Sequence, residues 1–318
     1  MPYELRPLTL AELLDRAFGL YRRHFWLFVG IMALPSLAML ILSVGSQFIE
    51  GAAALPADER PLPEFSVGLV VTGVLVLIAA FLFYWVSYAV ALGATTVAVS
   101  GIYADRTPTI ADTYRATGGK VARLAWLLIL IGLRAFGVFM LLMIAGGIAG
   151  AVGALASPIL TGLVVFLAIF AGFGLMIWMI LRYSVSVPAA VLEDNSASDA
   201  IARSIELTKG SLHRVFLLMV FTVIVTYAAL MLFQVPFVFA AVFAGPETSA
   251  GFWLNLVGVV TGSIASALTS PLAVVAMAVL YYDLRTRNEG LDLELLVAKL
   301  RDTTPSAQSG PSSAVLPG

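Results

Sequence analysis

Six long apolar stretches alternate with short polar ones along the chain, at about 25–48, 66–100, 124–152, 158–181, 215–242 and 252–282, and Arg134 is the one charge inside them. A helix of about 20 apolar residues crosses a hydrocarbon core of about 30 Å, so the pattern predicts an all-α, polytopic membrane protein with six transmembrane helices. The second run is overlong. Residues 65–104 carry no charge, and at about 1.5 Å per residue they exceed a perpendicular crossing. That segment is expected to tilt, to break near Gly93 or to continue beyond the membrane.

The polar stretches have a pattern of their own. Residues 8–26 read LTLAELLDRAFGLYRRHFW. Leu10, Leu13, Leu14, Ala17 and Tyr21 fall on one helical face, and Glu12, Asp15, Arg16, Arg22 and Arg23 lie opposite. Thr9 and Glu12 have the spacing of a capping box, which satisfies two otherwise orphaned amides of the first turn. Residues 109–126, TIADTYRATGGKVARLAW, follow at an offset of 100, with Thr109, Asp112 and Trp126 on Thr9, Glu12 and Trp26. Residues 196–216, SASDAIARSIELTKGSLHRVF, supply a third pair in Ser196 and Asp199. Apolar positions recur helically at Ile110, Tyr114, Thr117 and Val121, and at Ala197, Ile201, Ile205 and Thr208. We read three parallel repeats, at about 8–100, 108–182 and 195–300, each an interfacial amphipathic helix followed by a two-span hairpin. Residues 1–300 form one integral membrane domain on this reading, and the Ser-, Pro- and Gly-rich segment 302–318 is a disordered tail.

Composition agrees with this picture: 60% of residues are hydrophobic and 12% charged, against about 25% charged in soluble domains. Charge also sets the sidedness. Sixteen of the 18 basic residues fall before span one, between spans two and three, between spans four and five, or after span six. The opposite loops hold Arg60 beside Glu50, Asp58, Glu59 and Glu64. Lys and Arg favour the cytoplasmic side, so both termini are expected there, in the cytoplasmic (plasma) membrane. Fifteen Arg against three Lys fits a GC-rich bacterial genome. The basic face implies membrane lipids with anionic headgroups as partners and leaves room for a membrane or cytoplasmic protein partner; nothing suggests nucleic acid. Pro56, Pro61 and Pro63 punctuate the first opposite loop, and Ser157–Pro158 and Gly245–Pro246 mark tight hairpins.

Candidate chemistry is sparse. No Asp or Glu falls within a span, His24 and His213 sit at span boundaries, and there is no cysteine. GGK at 118–120 lacks the spacing and the hydroxyl residue of a phosphate-binding loop. The expectation is a protein that is not an enzyme and needs no cofactor or metal, acting as a scaffold or accessory component; the alternative is a transporter or permease for a lipid-like or small anionic solute. Arg134 is the candidate for a pathway. It lies 11 residues beyond Arg123, about 16 Å along a helix and near the bilayer centre, where a charge either faces the protein interior or snorkels. Ser266, Thr269 and Ser270 reach a similar depth and are its nominated partners. Gly258, Gly262, Ser266 and Ser270 on span six, and Gly146 and Gly150 on span three, have the spacing of close helix packing. Pro35, Pro236 and Pro271 can kink their spans and free carbonyls.

Three segments carry a resemblance: LRPLTLAELLDRAFGLYRRHFW, PAAVLEDNSASDAIARSIELTKGSLHRVF and YYDLRTRNEGLDLE. Over about residues 5–300 the chain resembles bacterial multi-span proteins related to the glycerophosphodiester phosphodiesterase membrane domain. In some relatives such a domain is joined to a catalytic barrel with a His-Arg pair and a Glu-x-Asp metal site. Here His213–Arg214 is followed by Val215 at the start of a span, with no accompanying Glu-x-Asp site, so the resemblance implies the membrane domain without catalytic residues.

Overall fold

The computed structural model describes residues 6–54, 67–155, 157–245 and 248–290. Ten helices follow one another among them: α1 (Leu10–Arg23), α2 (Phe25–Ala54), α3 (Val67–Tyr103), α4 (Ile110–Gly118), α5 (Val121–Gly153), α6 (Pro158–Arg182), α7 (Ser186–Leu192), α8 (Ala197–Leu207), α9 (Leu212–Ala244) and α10 (Ser249–Glu289). Six of these (α2, α3, α5, α6, α9 and α10) are long and apolar enough to cross a membrane. The protein is therefore an all-helical, multi-pass integral membrane protein. The first opposite loop with Pro56, Pro61 and Pro63, the segment 291–301 and the predicted tail 302–318 lie outside the described residues.

Three short helices begin where the polar pattern placed them. Thr9 caps α1 through a complete capping box: its hydroxyl accepts from the Glu12 amide at 3.3 Å, and the Glu12 carboxylate accepts from the Thr9 amide at 2.7 Å. Thr109 caps α4 and Ser196 caps α8, each accepting from the backbone amide of the aspartate three residues on. Aspartate is one methylene shorter than glutamate. Instead of reaching the cap residue's amide, its carboxylate accepts the cap hydroxyl's proton, at 2.6 Å in both cases.

Elsewhere the elements depart from expectation. Gly93 does not break α3, which is continuous for 37 residues. Its missing side chain serves packing instead, because a Cβ there would stand 2.6 Å from Leu124 and 2.8 Å from Thr117, where α4 and α5 cross α3. The seven-residue helix α7 was not predicted: it follows span four after Arg182, Tyr183 and Ser184, with Ser186, Pro188, Ala189, Ala190 and Val191 all buried. α10 runs for 41 residues, about 60 Å at helical rise, past the predicted end near 282. It stops where Gly290 turns left-handed at φ 64°, a conformation that costs glycine little.

Packing is concentrated at the end of the bundle where the basic residues gather, here termed the charged end. Phe28, Ile31, Met32, Leu124, Leu127 and Tyr281 are all fully buried there with Leu13 and Leu20 of α1 and Ile201 and Leu207 of α8. α9 and α10 form one hairpin, α2 lies between α10 and α3, and α1 lies against α10. The α5–α6 hairpin packs mainly on itself.

Prolines inside the spans are accompanied by hydroxyls from neighbouring elements. Pro35 has no amide to offer the Ile31 carbonyl four residues back, and the Tyr114 hydroxyl of α4 donates to that carbonyl at 2.6 Å. Beside Pro271, the Leu268 carbonyl accepts from the Tyr21 hydroxyl of α1. Beside Pro236, the Thr261 hydroxyl stands 3.0 Å from the Phe233 carbonyl. Tyr21 and Tyr114, read from sequence as apolar-face residues, thus also tie short helices to proline-containing spans.

Candidate functional site

The three segments that carry the resemblance meet at the charged end. Leu8, just ahead of α1, presents its amide to the Asp283 carboxylate of α10 at 2.7 Å. Asp283 is fully buried as a side chain and also pairs with Arg214 and with Arg287, each at 3.1 Å. Both arginines return to the Leu8 carbonyl, Arg214 at 2.6 Å. One carboxylate thereby clamps the chain start to α9 and α10. Within this network, Arg214 Nε is a buried donor with no acceptor among the described residues.

Glu193, at the end of α7, centres a second cluster. It accepts from the Tyr281 hydroxyl at 2.6 Å, from Arg203 at 3.0 Å and from Asn195 at 3.1 Å. Arg203 also pairs with Glu206 at 3.2 Å and with Glu289, which pairs in turn with Arg285 at 2.9 Å. Burial pushes the Glu193 carboxyl up, but the bonds from Tyr281 and Arg203 outweigh it and hold the group below the usual carboxylate range. The same carboxylates, counteracting its own desolvation, push the Arg203 guanidinium up. Next to Glu193, Asp194 takes a left-handed backbone, φ 56°, and its carboxylate meets Arg123 at 2.6 Å and Lys120 at 3.2 Å on α5. Hydrogen bonds from those two groups hold Asp194 low. Glu12 is lowered to about 2, first by the Thr9 amide and then by Arg6. Burial and the adjacent Arg23 lower His24. No group of three or more metal-ligating side chains occurs among the described residues.

A second feature lies within the spans. A cleft of about 400 Å³ opens between α2, α3, α9 and α10, and its wall includes Ser36, Ser43, Tyr88, Gln234, Ser266 and Ser270. No charged residue lines it among the described residues.

The structure separates the residues that sequence grouped together. Ser266 and Ser270 line the cleft, and Thr269 bonds its own helix at the Ala265 carbonyl, 2.9 Å away. Arg134 is exposed on α5 and makes no hydrogen bond or ion pair among the described residues. The expected pairing of Arg134 with Ser266, Thr269 and Ser270 is not formed. Sequence gave Arg134 a depth and no azimuth, yet the azimuth was available. At about 100° per residue, Ala135 falls near the face of Gly146, and Arg134 stands well to one side of it. Ala135 and Gly146 are both buried.

Sequence reasoning missed Asp283, Glu193 and Arg214 as the centres of the charged end. The signal was present in YYDLRTRNE, where an aspartate ends the last span beside two arginines. Its partner Leu8 is 275 residues away.

Comparison with known proteins places half of this arrangement in a family context. The family model for the membrane domain of glycerophosphoryl diester phosphodiesterase matches residues 155–307, a stretch that holds α6 to α10 with Glu193, Arg203, Arg214 and Asp283. Over that stretch the chain is related to this membrane domain, as the motif resemblance implied. No curated protein and no solved structure matches the chain.

Proposed function

We propose, from its relation to that membrane domain, that the protein is a non-catalytic scaffold or accessory component of a bacterial cytoplasmic membrane, with lipids and a protein as partners and both termini in the cytoplasm. One observation supports this most: the α5–α6 hairpin is held to the rest of the bundle at one end and otherwise packs mainly on itself. Lys120 and Arg123 anchor α5 to Asp194 at the charged end, while Phe136 and Leu141 of α5 and Phe166 and Phe170 of α6 are exposed. Such a projecting pair of helices offers apolar surface within the bilayer for a second protein to pack on. The carboxylates best suited to acid–base work, Asp283 and Glu193, are occupied by cations and amides in structural roles. The transporter alternative rested on Arg134, which stands apart from the intramembrane cleft.

A photoreactive residue in place of Phe170, tested in living cells, addresses the scaffold reading. One discrete protein adduct is expected; adducts with lipid alone at Phe170 and at Phe136 would overturn it. The orientation follows from the placement of the basic residues. Because the chain has no cysteine, Ser196→Cys reports on it directly. An impermeant thiol reagent should reach that cysteine in inverted vesicles, and labelling from outside intact cells would reverse the orientation. We also read the order of short helix, span, span, which recurs after Thr9, Thr109 and Ser196, as three parallel repeats. The shared N-caps support this reading.

A further inference from the structure

Hydroxyl groups inside a transmembrane helix normally return to their own backbone, because lipid offers no other partner. Most here do so. Thr95, Thr96, Ser263 and Thr269 all bond the carbonyl four residues back, at 2.8 to 3.0 Å. The cleft between α2, α3, α9 and α10 departs from this, although Ser46 and Ser263 on its wall also bond their own helices. Among the described residues the hydroxyls of Ser36, Ser266 and Ser270, the Tyr88 hydroxyl and the Gln234 carboxamide line it without any hydrogen bond. These groups come from four separate helices and converge on one space of about 400 Å³. Gln234 is held there by close packing, since a Cβ at Gly262 would stand 3.0 Å from its Oε1 and 3.2 Å from its Cβ.

We propose that this cleft binds an uncharged, hydroxyl-bearing lipid of the diacylglycerol class, taken from the surrounding bilayer. The cleft's chemistry selects for neutrality. Among the described residues no Lys, Arg or His lines it to pair with a phosphate, and no Asp or Glu to pair with an amine; a headgroup charge there would be desolvated without a partner. Serine and tyrosine hydroxyls and a carboxamide both donate and accept, which matches a free hydroxyl together with ester carbonyls. The apolar part of the wall, from Met32, Pro35, Met39 and Leu230, suits the first methylenes of acyl chains. The volume holds a glycerol headgroup and those methylenes, toward the lower end of the usual range for small-molecule sites, about 300–1,000 Å³. The chains would continue into the membrane, because the cleft is not enclosed. This site is independent of the scaffold reading, since a protein can dock on the α5–α6 hairpin whether the cleft is filled or empty.

The test uses the full-length protein in nanodiscs with a diacylglycerol carrying a photoreactive group near the head of one acyl chain, beside the matching phosphatidic acid and phosphatidylglycerol probes. The expected result is saturable labelling of α2 and α10 peptides by the diacylglycerol probe. Unlabelled diacylglycerol should compete and phosphatidic acid should not. Gln234→Leu combined with Ser266→Ala should cut this labelling about tenfold, the scale of one to two net hydrogen bonds. Ser263→Ala, whose hydroxyl already bonds Val259, should leave it unchanged. Ser270→Leu, which fills the cleft without removing Gln234, should also abolish labelling in protein that keeps the parental melting midpoint. Equal labelling by the charged probes overturns the proposal, as does labelling spread over α5 and α6 or labelling that survives both cleft variants.

Discussion

The charged end and the α5–α6 hairpin solve the same problem in opposite ways. At the charged end, helices from the start, middle and end of the chain are locked by buried ions whose lone pairs are filled: Asp283 by Leu8, Arg214 and Arg287, and Glu193 by Tyr281, Arg203 and Asn195. Among the described residues no ion pair joins the two helices of the hairpin, where the Thr161 hydroxyl donates to the Gly150 carbonyl at 3.1 Å. The helices touch through the Phe139 and Phe173 rings, 4.9 Å apart, and through absent side chains, where a Cβ on Gly146 would come 2.2 Å from that of Ala168. Across its most apolar 18 residues α10 buries 44%, whereas α6 buries 6%. Stability is therefore expected to be concentrated at one end, leaving the hairpin free to meet lipid or a partner.

The strongest way to break this comparison is Asp283→Leu. Two guanidinium groups and the Leu8 amide would lose a fully buried anion, and removing one partner of a buried pair costs about 3–5 kcal/mol. The melting midpoint in detergent should fall sharply. Adding Arg214→Met should restore part of it, because the pair is then replaced and not merely broken. An unchanged midpoint would mean that the charged end is not where stability resides.

Gly146→Val sharpens the contrast from the other side. The added branches would collide with α6, and overpacking of this kind costs about 1–3 kcal/mol. The effect should remain local: faster hydrogen exchange along α5 and α6, with amides of α1 and α8 unaltered. Loss of protection at the charged end would show that the two regions fold as one unit.

How much of this was legible in sequence follows the same division. Helix starts at Thr9, Thr109 and Ser196 were readable because a cap needs only three residues of context, and the spans were readable from apolar length. The clamp on Leu8 was not, since pattern carries no information across 275 residues. α7 was hidden because it is short, and Arg182, Tyr183 and Ser184 ahead of it read as the polar end of span four. Arg134 was misassigned to a partner because depth was weighed without azimuth. The serines of span six were recognised as a small-residue stripe, but that they face a cleft with Gln234 depends on how α9 packs.

Acid should act on the charged end before the hairpin. The Glu193 carboxyl sits below its ordinary value of 4.5 in the folded protein. The stability it contributes is present above that value and is lost as pH falls through the lower folded value. The melting midpoint should therefore decline below about pH 4.5, and Glu193→Gln should flatten that part of the profile. An identical slope in the variant would assign the acid sensitivity to other carboxylates.

The smallest effect is expected at Arg134, the residue that sequence singled out. It is exposed on α5 and bonds nothing among the described residues, so its charge contributes no internal contact that a substitution could remove. A guanidinium at this depth must be solvated by headgroups or by water drawn toward it, a cost usually reduced by snorkelling. Arg134→Leu should consequently leave the melting midpoint unchanged or slightly raised, and abundance and topology should match the parent. The photo-adduct at Phe170 should persist, as should diacylglycerol labelling of the cleft. A selective loss of the Phe170 adduct, with midpoint and topology intact, would make Arg134 a contact for the protein partner. That result would extend the docking surface of the hairpin from its apolar ridge to the one charge it carries across the bilayer.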